Sequence, residues 1–115
     1  MSPATKRPPD SAELRRLREE IDALDRRIVQ LLNDRATLTV DVGHEKTRLG
    51  RRVIRDPQRE REVLLRVTIA NEGPLPQADL LAMYRRLIAS ARALEARERA
   101  RAAGRDDGDG EPPSA

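Results

Sequence analysis

Apolar residues recur every three or four positions along residues 11–49. The members of this stripe are Leu14, Leu17, Ile21, Leu24, Ile28, Leu31, Leu38 and Val42. Their spacing places them on one face of an α-helix. Arg35 stands where the stripe calls for another leucine, and Lys46 follows on the same face eleven residues later. Because a buried cation is costly unless a partner satisfies it, these two residues predict a site for a small anion.

The composition excludes several classes of chemistry. The chain has no cysteine and one histidine, which rules out disulfides and thiolate metal sites and argues against a histidine-based triad. No apolar run reaches the ~18 residues of a membrane span, and the first ten residues lack the apolar region of a secretory signal. The sequence therefore predicts a soluble cytoplasmic protein.

Three helices and no strands are predicted, so the fold class is all-α. The first runs from Ser11 to Leu49, with Asp10 as N-cap of a capping box and Gly50 as its stop. Asp56-Pro57 opens the second, which continues to about residue 71. The third covers about 79–103. Its predicted apolar face consists of Leu80, Tyr84, Leu87, Ile88, Ala91 and Leu94, and that of the second helix consists of Val63, Leu64, Val67 and Ile69.

The two ends of the chain differ in composition from the segment between them. Residues 1–10 are rich in proline, and residues 104–115 are mostly Gly, Asp and Pro. Both are predicted to be disordered tails that flank one helical domain at 11–103. A helix of 39 residues extends roughly 58 Å, which two shorter helices cannot cover. The simplest way to bury its stripe is a second copy of the chain, so the sequence predicts a homodimer.

Charged residues on the other predicted helices add to the anion site. Arg59 and Glu60 open the second helix, where a helix N-terminus also favours an anion. Glu95 shares the apolar face of the third helix, so its carboxylate should be paired or protonated. Arg18 lies too far from Arg35 to share its pocket within one helix, but it could do so across an antiparallel dimer. Surface ion pairs, such as Arg18 with Asp22, are the simpler alternative for each of these residues.

Four segments resemble the all-helical (AroQ-class) chorismate mutases. They are LREEIDALD at residues 17–25, LLNDR at 31–35, VGHEK at 42–46 and VIRDPQRERE at 53–62. The segments occur in the family's order and near its spacing, and the resemblance covers residues 14 to about 96. It implies an intertwined helical homodimer that converts chorismate to prephenate without a cofactor, a metal or a covalent intermediate.

The resemblance also implies roles for individual residues. Arg18 of one chain and Arg35 of the other would hold the two substrate carboxylates, while Lys46 would contact a carboxylate and the ether oxygen of the breaking bond. Arg59 would support this network, and Glu60 would accept the ring hydroxyl. The remaining substrate-binding positions implied by the resemblance are the backbone at Asp56 and the side chains of Val42, Ile88 and Ala91.

Three departures from the family pattern bear on the site. The loop between Lys46 and Asp56 is one residue longer than in the enterobacterial pattern. Ala91 stands where many members have serine, which removes one polar contact. Glu95 stands where many bacterial members have glutamine, so we hypothesise that it must be protonated to donate a hydrogen bond to the ether oxygen.

Other functions fit parts of the sequence. An isochorismate–pyruvate lyase or a mutase of 4-amino-4-deoxychorismate could use the same cations on the same fold. A basic dimer that binds nucleic acid is permitted by the pI near 10.1, but Tyr84 is the only aromatic residue and the cations are interspersed with acids. A regulatory module without activity is a further alternative. An active chorismate mutase that binds neither nucleic acid nor membranes is favoured, because the chain has all five charged residues of the pattern: Arg18, Arg35, Lys46, Arg59 and Glu60.

Overall fold

A computed structural model describes residues 7–52 and 55–108 of the chain. The helices are α1 (Ala12–Arg48), α2 (Pro57–Ala70) and α3 (Gln77–Gly108), and these ranges contain no strand, which confirms the predicted all-α class. No helix in the described ranges is long and apolar enough to cross a membrane. The chain divides into two compact units, Met1–Arg35 and Ala36–Ala115. The first holds the N-terminal part of α1, and the second holds the rest of α1 with α2 and α3.

Helix α1 begins one residue later than predicted. Ser11, not Asp10, is its N-cap, because the Ser11 hydroxyl accepts a hydrogen bond from the backbone N–H of Leu14 at 3.0 Å. The predicted capping box is therefore wrong. The Asp10 carboxylate instead accepts a hydrogen bond from Arg18 and lies 3.5 Å from Arg7, and Glu13 pairs with Arg16. Because the Ser11 hydroxyl accepts from the N–H of Leu14, the Asp10 carboxylate is available for ion pairs.

Helix α1 ends just before Gly50, as predicted. Gly50 has φ +76°, a left-handed conformation that glycine adopts without steric cost. Its N–H donates to the Thr47 carbonyl at 3.0 Å, and the N–H of Arg51 donates to the Lys46 carbonyl at 2.8 Å. These two bonds form a Schellman motif, which satisfies the last carbonyls of the helix and turns the chain towards α2.

Helix α2 is capped at both ends by side chains. The Asp56 carboxylate accepts from the backbone N–H of Arg59 at 3.1 Å, and Pro57 occupies the first helical position, as predicted. At the other end the Asn71 amide donates to the Gln77 side chain at 2.9 Å, and Gln77 donates to the Thr68 carbonyl at 3.1 Å. This network fixes the turn between α2 and α3.

Helix α3 continues to Gly108, so the prediction that it ends at Ala103 is wrong. Gly104 costs a helix about 1 kcal/mol relative to alanine, but the alanine and arginine residues around it are strong helix formers. An ion pair of 3.3 Å between Arg101 and Glu98 also supports this part of the helix. Residues 104–108, predicted as part of a disordered tail, are thus helical. The rest of that tail, residues 109–115, and residues 1–6 lie outside the described ranges.

The second unit has a small apolar core. The predicted face of α3 is at least half-buried along its length, and Ile88, at 7% exposure, is the only described residue that is buried. Val63, Leu64 and Val67 of α2 are half-buried, whereas Ile69 is 72% exposed and does not belong to the face predicted for it. The stripe of α1 is also exposed, from 37% at Leu14 to 64% at Leu38.

Gly43 of α1 lies against Glu95 of α3. A Cβ atom added at Gly43 would meet the Glu95 Cγ at 3.5 Å, which is ordinary van der Waals contact. The glycine thus marks the close approach of a second helix. The space at this position is large enough for a methyl group.

We predict that Gly43→Ala stabilises the protein. Alanine favours the helix by about 1 kcal/mol relative to glycine, and the structure leaves room for its methyl group. The midpoint of urea unfolding should therefore rise. Gly43→Leu serves as the matched variant, because its larger side chain must displace Glu95 and should lower the midpoint. A lower midpoint for Gly43→Ala would contradict the contact described here.

Candidate active site

Lys46 and Glu95 form an ion pair in the second unit. The Lys46 Nζ donates to the Glu95 Oε2 at 3.3 Å, and the two side chains are only 12% and 10% exposed. The residues are 49 positions apart, so only the packing of α3 near the end of α1 brings them together. The expectation that a carboxylate on this face would be paired is confirmed. Its partner is Lys46 of α1.

Glu60 forms a second ion pair, between α2 and α3. Its Oε1 accepts from the Arg92 Nη1 at 2.7 Å, and the Arg55 Nε lies 3.8 Å from its Oε2. The Glu60 side chain is 19% exposed and that of Arg92 is 35% exposed. Arg92 is not among the site residues predicted from the sequence. The signal that could have identified it is its position four residues after Ile88 and three before Glu95, on the same face of the helix.

Two described residues that follow α1, Arg51 and Arg52, contact α2 and α3. Arg99 of α3 donates to the Arg52 carbonyl at 2.7 Å, and Arg51 lies 3.7 Å from the capping carboxylate of Asp56. Beside Arg99 there is a cavity of about 280 Å³, whose wall includes Gly43, Thr47 and Glu95. The second unit thus places this cavity next to the Lys46–Glu95 pair and next to the arginine that holds residue 52.

Arg59 occupies a different environment from Lys46. Its guanidinium lies 3.8 Å from Glu62 and is 56% exposed, as in the solvated surface pair that the sequence offered as the simpler alternative. Its backbone N–H is bound to Asp56. Arg59 therefore contributes to the cap of α2, and its predicted contact with a substrate stays a prediction.

The apolar positions of the predicted site differ in burial. Ile88 is the most buried described residue, Ala91 is half-buried, and Val42 is 49% exposed. Ile88 thus has a structural role in the packing of α3 in addition to any contact with a ligand. The exposed methyl groups of Val42 are accessible to a ligand or to a partner chain.

The other two predicted cations belong to the first unit. The Arg18 guanidinium is 49% exposed and donates to the Asp10 carboxylate, so the predicted surface pair with Asp22 is replaced by a pair with Asp10. Arg35 is half-buried on α1. Both side chains are placed on the helix that carries the exposed stripe.

Two glutamates on α1 titrate under the influence of neighbouring arginines. Hydrogen bonds from Arg48 lower the pKa of Glu45, and those from Arg16 lower the pKa of Glu13. A carboxyl group whose pKa is lowered in the folded state stabilises the fold at pH values above its ordinary pKa. This stabilisation is lost as the pH falls through the pKa of the folded state. Both pairs are fully exposed, so they support the two ends of the helix and do not shape the site.

The geometry favours recognition of an anion by fixed charges. Lys46 and Glu95 are withdrawn from solvent, and Glu60 is held between two arginines. Among the described residues, no group of three or more His, Cys, Asp or Glu side chains could hold a metal ion. The unit provides donors, acceptors and positive charge at defined positions, which suits catalysis by positioning and electrostatic stabilisation.

Residues 17–96 match the family model described as chorismate mutase type II. The fold is similar to two structures of chorismate mutase from Thermus thermophilus. Form II has a TM-score of 0.69 and 33% identity over 74% of this chain and 96% of that chain. Form I has a TM-score of 0.65 and 32% identity over 69% and 98%.

Curated relatives also match this chain over about three quarters of its length. A bifunctional chorismate mutase/prephenate dehydratase from Aquifex aeolicus is 38% identical over an alignment of 87 residues that covers 72% of this chain and 24% of the relative. A bifunctional chorismate mutase/prephenate dehydratase from Pseudomonas aeruginosa is 36% identical over an alignment of 90 residues that covers 75% of this chain and 25% of the relative. The chain spans about a quarter of the length of these relatives.

Proposed function

This chain belongs to the chorismate mutase type II family, and from that membership we propose that it converts chorismate to prephenate in aromatic amino acid biosynthesis. The reaction is a Claisen rearrangement, in which one C–O bond breaks while one C–C bond forms. The observation that carries the proposal is the Lys46–Glu95 pair, because it combines a cation and a carboxyl group in a site withdrawn from solvent. We place the enzyme in the cytoplasm.

Lys46 is proposed to act at the breaking bond. Negative charge develops on the ether oxygen in the transition state, and an ammonium at 12% exposure interacts with it more strongly than it would in water. The lysine is already oriented by Glu95, so little reorganisation is needed when the charge develops. Since the rearrangement is intramolecular, no nucleophile or covalent intermediate is required.

Glu95 is proposed to donate a hydrogen bond to the same oxygen in its protonated form. An anionic substrate at Lys46 brings a second negative charge close to Glu95, and like charges disfavour the ionised carboxylate. Substrate binding therefore promotes proton uptake by Glu95. This gives a physical reason for the protonated form in the complex with substrate.

The remaining residues of the second unit are proposed to bind the rest of the substrate. Glu60 accepts the ring hydroxyl, and the backbone at Asp56 lies in the cap next to it. Val42, Ile88 and Ala91 supply apolar contact with the compact conformer of the substrate. Arg59 supports the carboxylate network by leaving its exposed pair with Glu62, which costs little because such surface pairs are weak.

A homodimer is proposed to complete the site. With Ile88 as the only buried residue in the described ranges, a single chain leaves most of its apolar surface in water. The exposed stripe of α1 is long and regular, so a second copy of the same stripe can cover it across a two-fold axis. We propose that Arg35 and the Arg18 of the partner chain then bind the two substrate carboxylates.

Arg35→Ala should lower kcat/KM for chorismate by at least a hundredfold. The variant removes a guanidinium that binds charge in a site withdrawn from water, and the loss of one such donor costs about 10²–10³ in rate. Depletion of chorismate, followed by its absorbance, measures the effect. Arg85→Ala, at an exposed position of α3, is the matched control and should keep the wild-type rate. Full activity of Arg35→Ala would refute the site assignment.

The rate should fall as pH rises through the titration of Glu95. Only the protonated carboxyl can donate a hydrogen bond, so the active form is lost at higher pH. Glu95→Gln donates a hydrogen bond at every pH and should flatten the profile. Measurement of kcat/KM for both proteins between about pH 5 and 9 tests this hypothesis. A wild-type rate independent of pH over that range would contradict it.

Leu24→Glu should disrupt the dimer. Leu24 is a 52% exposed member of the stripe, and a carboxylate there would have to be buried in the proposed interface. Sedimentation equilibrium should give twice the 13.0 kDa of one chain for the wild type and a smaller mass for the variant. Gln30→Glu, at an exposed polar position of the same helix, should remain dimeric. A monomeric and active wild type would exclude the proposed dimer.

A further inference from the structure

We propose that Arg92 is a positioning residue that fixes Glu60 as an acceptor for a neutral hydroxyl and disfavours a substrate with an ammonium group in its place. This inference rests on the proposed function, in which Glu60 faces the ring substituent of the substrate. Arg92 itself need not touch the substrate. It acts through one carboxylate oxygen of Glu60, and it makes the unit selective for chorismate over its 4-amino analogue.

The two oxygens of Glu60 have different environments. Oε1 accepts from the Arg92 Nη1 at 2.7 Å, a short charge-assisted hydrogen bond that joins α2 to α3. Oε2 is buried and accepts no hydrogen bond from the described residues. The Arg55 Nε lies 3.8 Å from Oε2, which is too far for a hydrogen bond but close enough for electrostatic attraction.

A buried acceptor without a hydrogen bond points to a ligand that supplies the donor. An unsatisfied buried oxygen is costly, and a substrate hydroxyl bound to Oε2 would remove that cost. Arg92 makes the arrangement specific, because it holds the carboxylate by Oε1 and so prevents it from rotating away. Glu60 therefore presents one defined oxygen to one donor.

The charges around Glu60 set the kind of donor. One carboxylate lies beside two guanidinium groups, so the immediate surroundings carry a surplus of one positive charge. A neutral hydroxyl can donate to Oε2 without opposing that surplus. An ammonium group would be attracted by the Glu60 carboxylate, but Arg92 already offsets that charge and repels the ammonium. Because Glu60 is only 19% exposed, the ammonium would also lose hydration that this offset carboxylate does not replace.

Arg92 contributes more to this selectivity than Arg55 does. The Arg55 side chain is 67% exposed and 3.8 Å away, so solvent screens its charge. Arg92 is 35% exposed, bonded at 2.7 Å, and anchored on a helix that also carries Ile88 and Glu95. The same helix thus positions Glu60 and supplies the carboxyl group proposed to act at the ether oxygen.

The test compares chorismate with 4-amino-4-deoxychorismate in the full chain. We would measure kcat/KM for both substrates in the wild type, Arg92→Met, Arg92→Lys and the control Arg97→Met, an exposed arginine on the same helix. Arg92→Met should lower kcat/KM for chorismate about tenfold and reduce the preference for chorismate over the amine by a similar factor. Arg92→Lys keeps the charge and should restore most of the preference, while Arg97→Met should match the wild type.

A double-mutant cycle separates positioning from folding. If Arg92 acts through Glu60, then Arg92→Met should have little further effect on the preference in a Glu60→Gln background. An unchanged preference in Arg92→Met, or an equal loss in both backgrounds, would overturn the proposal. If Arg92→Met fails to fold, as judged by circular dichroism, the comparison between wild type and Arg92→Lys decides, since a preference lost in Arg92→Lys contradicts an electrostatic role. A wild type that converts neither substrate would instead refute the proposed function.

Discussion

The shortage of buried apolar surface is the constraint on which the rest of this structure depends. Only Ile88 is buried among the described residues, whereas the stripe of α1 remains exposed along its length. A chain of this kind gains too little from its own core to offset the entropy lost on folding. The apolar surface that one chain exposes is therefore the reason to propose a second copy, and the proposed exchange of Arg18 follows from the same need.

Within the second unit, two ion pairs connect the helices where the core is thin. Lys46–Glu95 joins α1 to α3, and Glu60–Arg92 joins α2 to α3. Such pairs contribute little net stability after desolvation, but they fix which groups face each other. Both pairs involve residues proposed to bind the substrate. The same contacts thus order the packing of α3 and hold the charges in place before a ligand arrives, which lowers the reorganisation required during the reaction.

Much of the fold could be read from local patterns. Asp56-Pro57 predicted the start of α2, and Gly50 predicted the end of α1, because caps depend on residues within one turn. Local patterns failed where two adjacent residues could both cap a helix and where a glycine was expected to end one. Ser11 caps α1 in place of Asp10, and Gly104 does not stop α3, because a single glycine costs less than the surrounding helix gains.

The sequence by itself determined the helical class, most of the face that each helix presents, and the charged residues proposed to form the site, with the exception of Arg92. These properties follow from a period of 3.6 residues and from capping, both of which are local. Only the tertiary structure decided that Lys46 pairs with Glu95 and that Arg92 holds Glu60. These partners are 49 and 32 positions apart. Periodicity gives the direction of a side chain on its helix, but the packing of α3 against its neighbours selects which side chains meet.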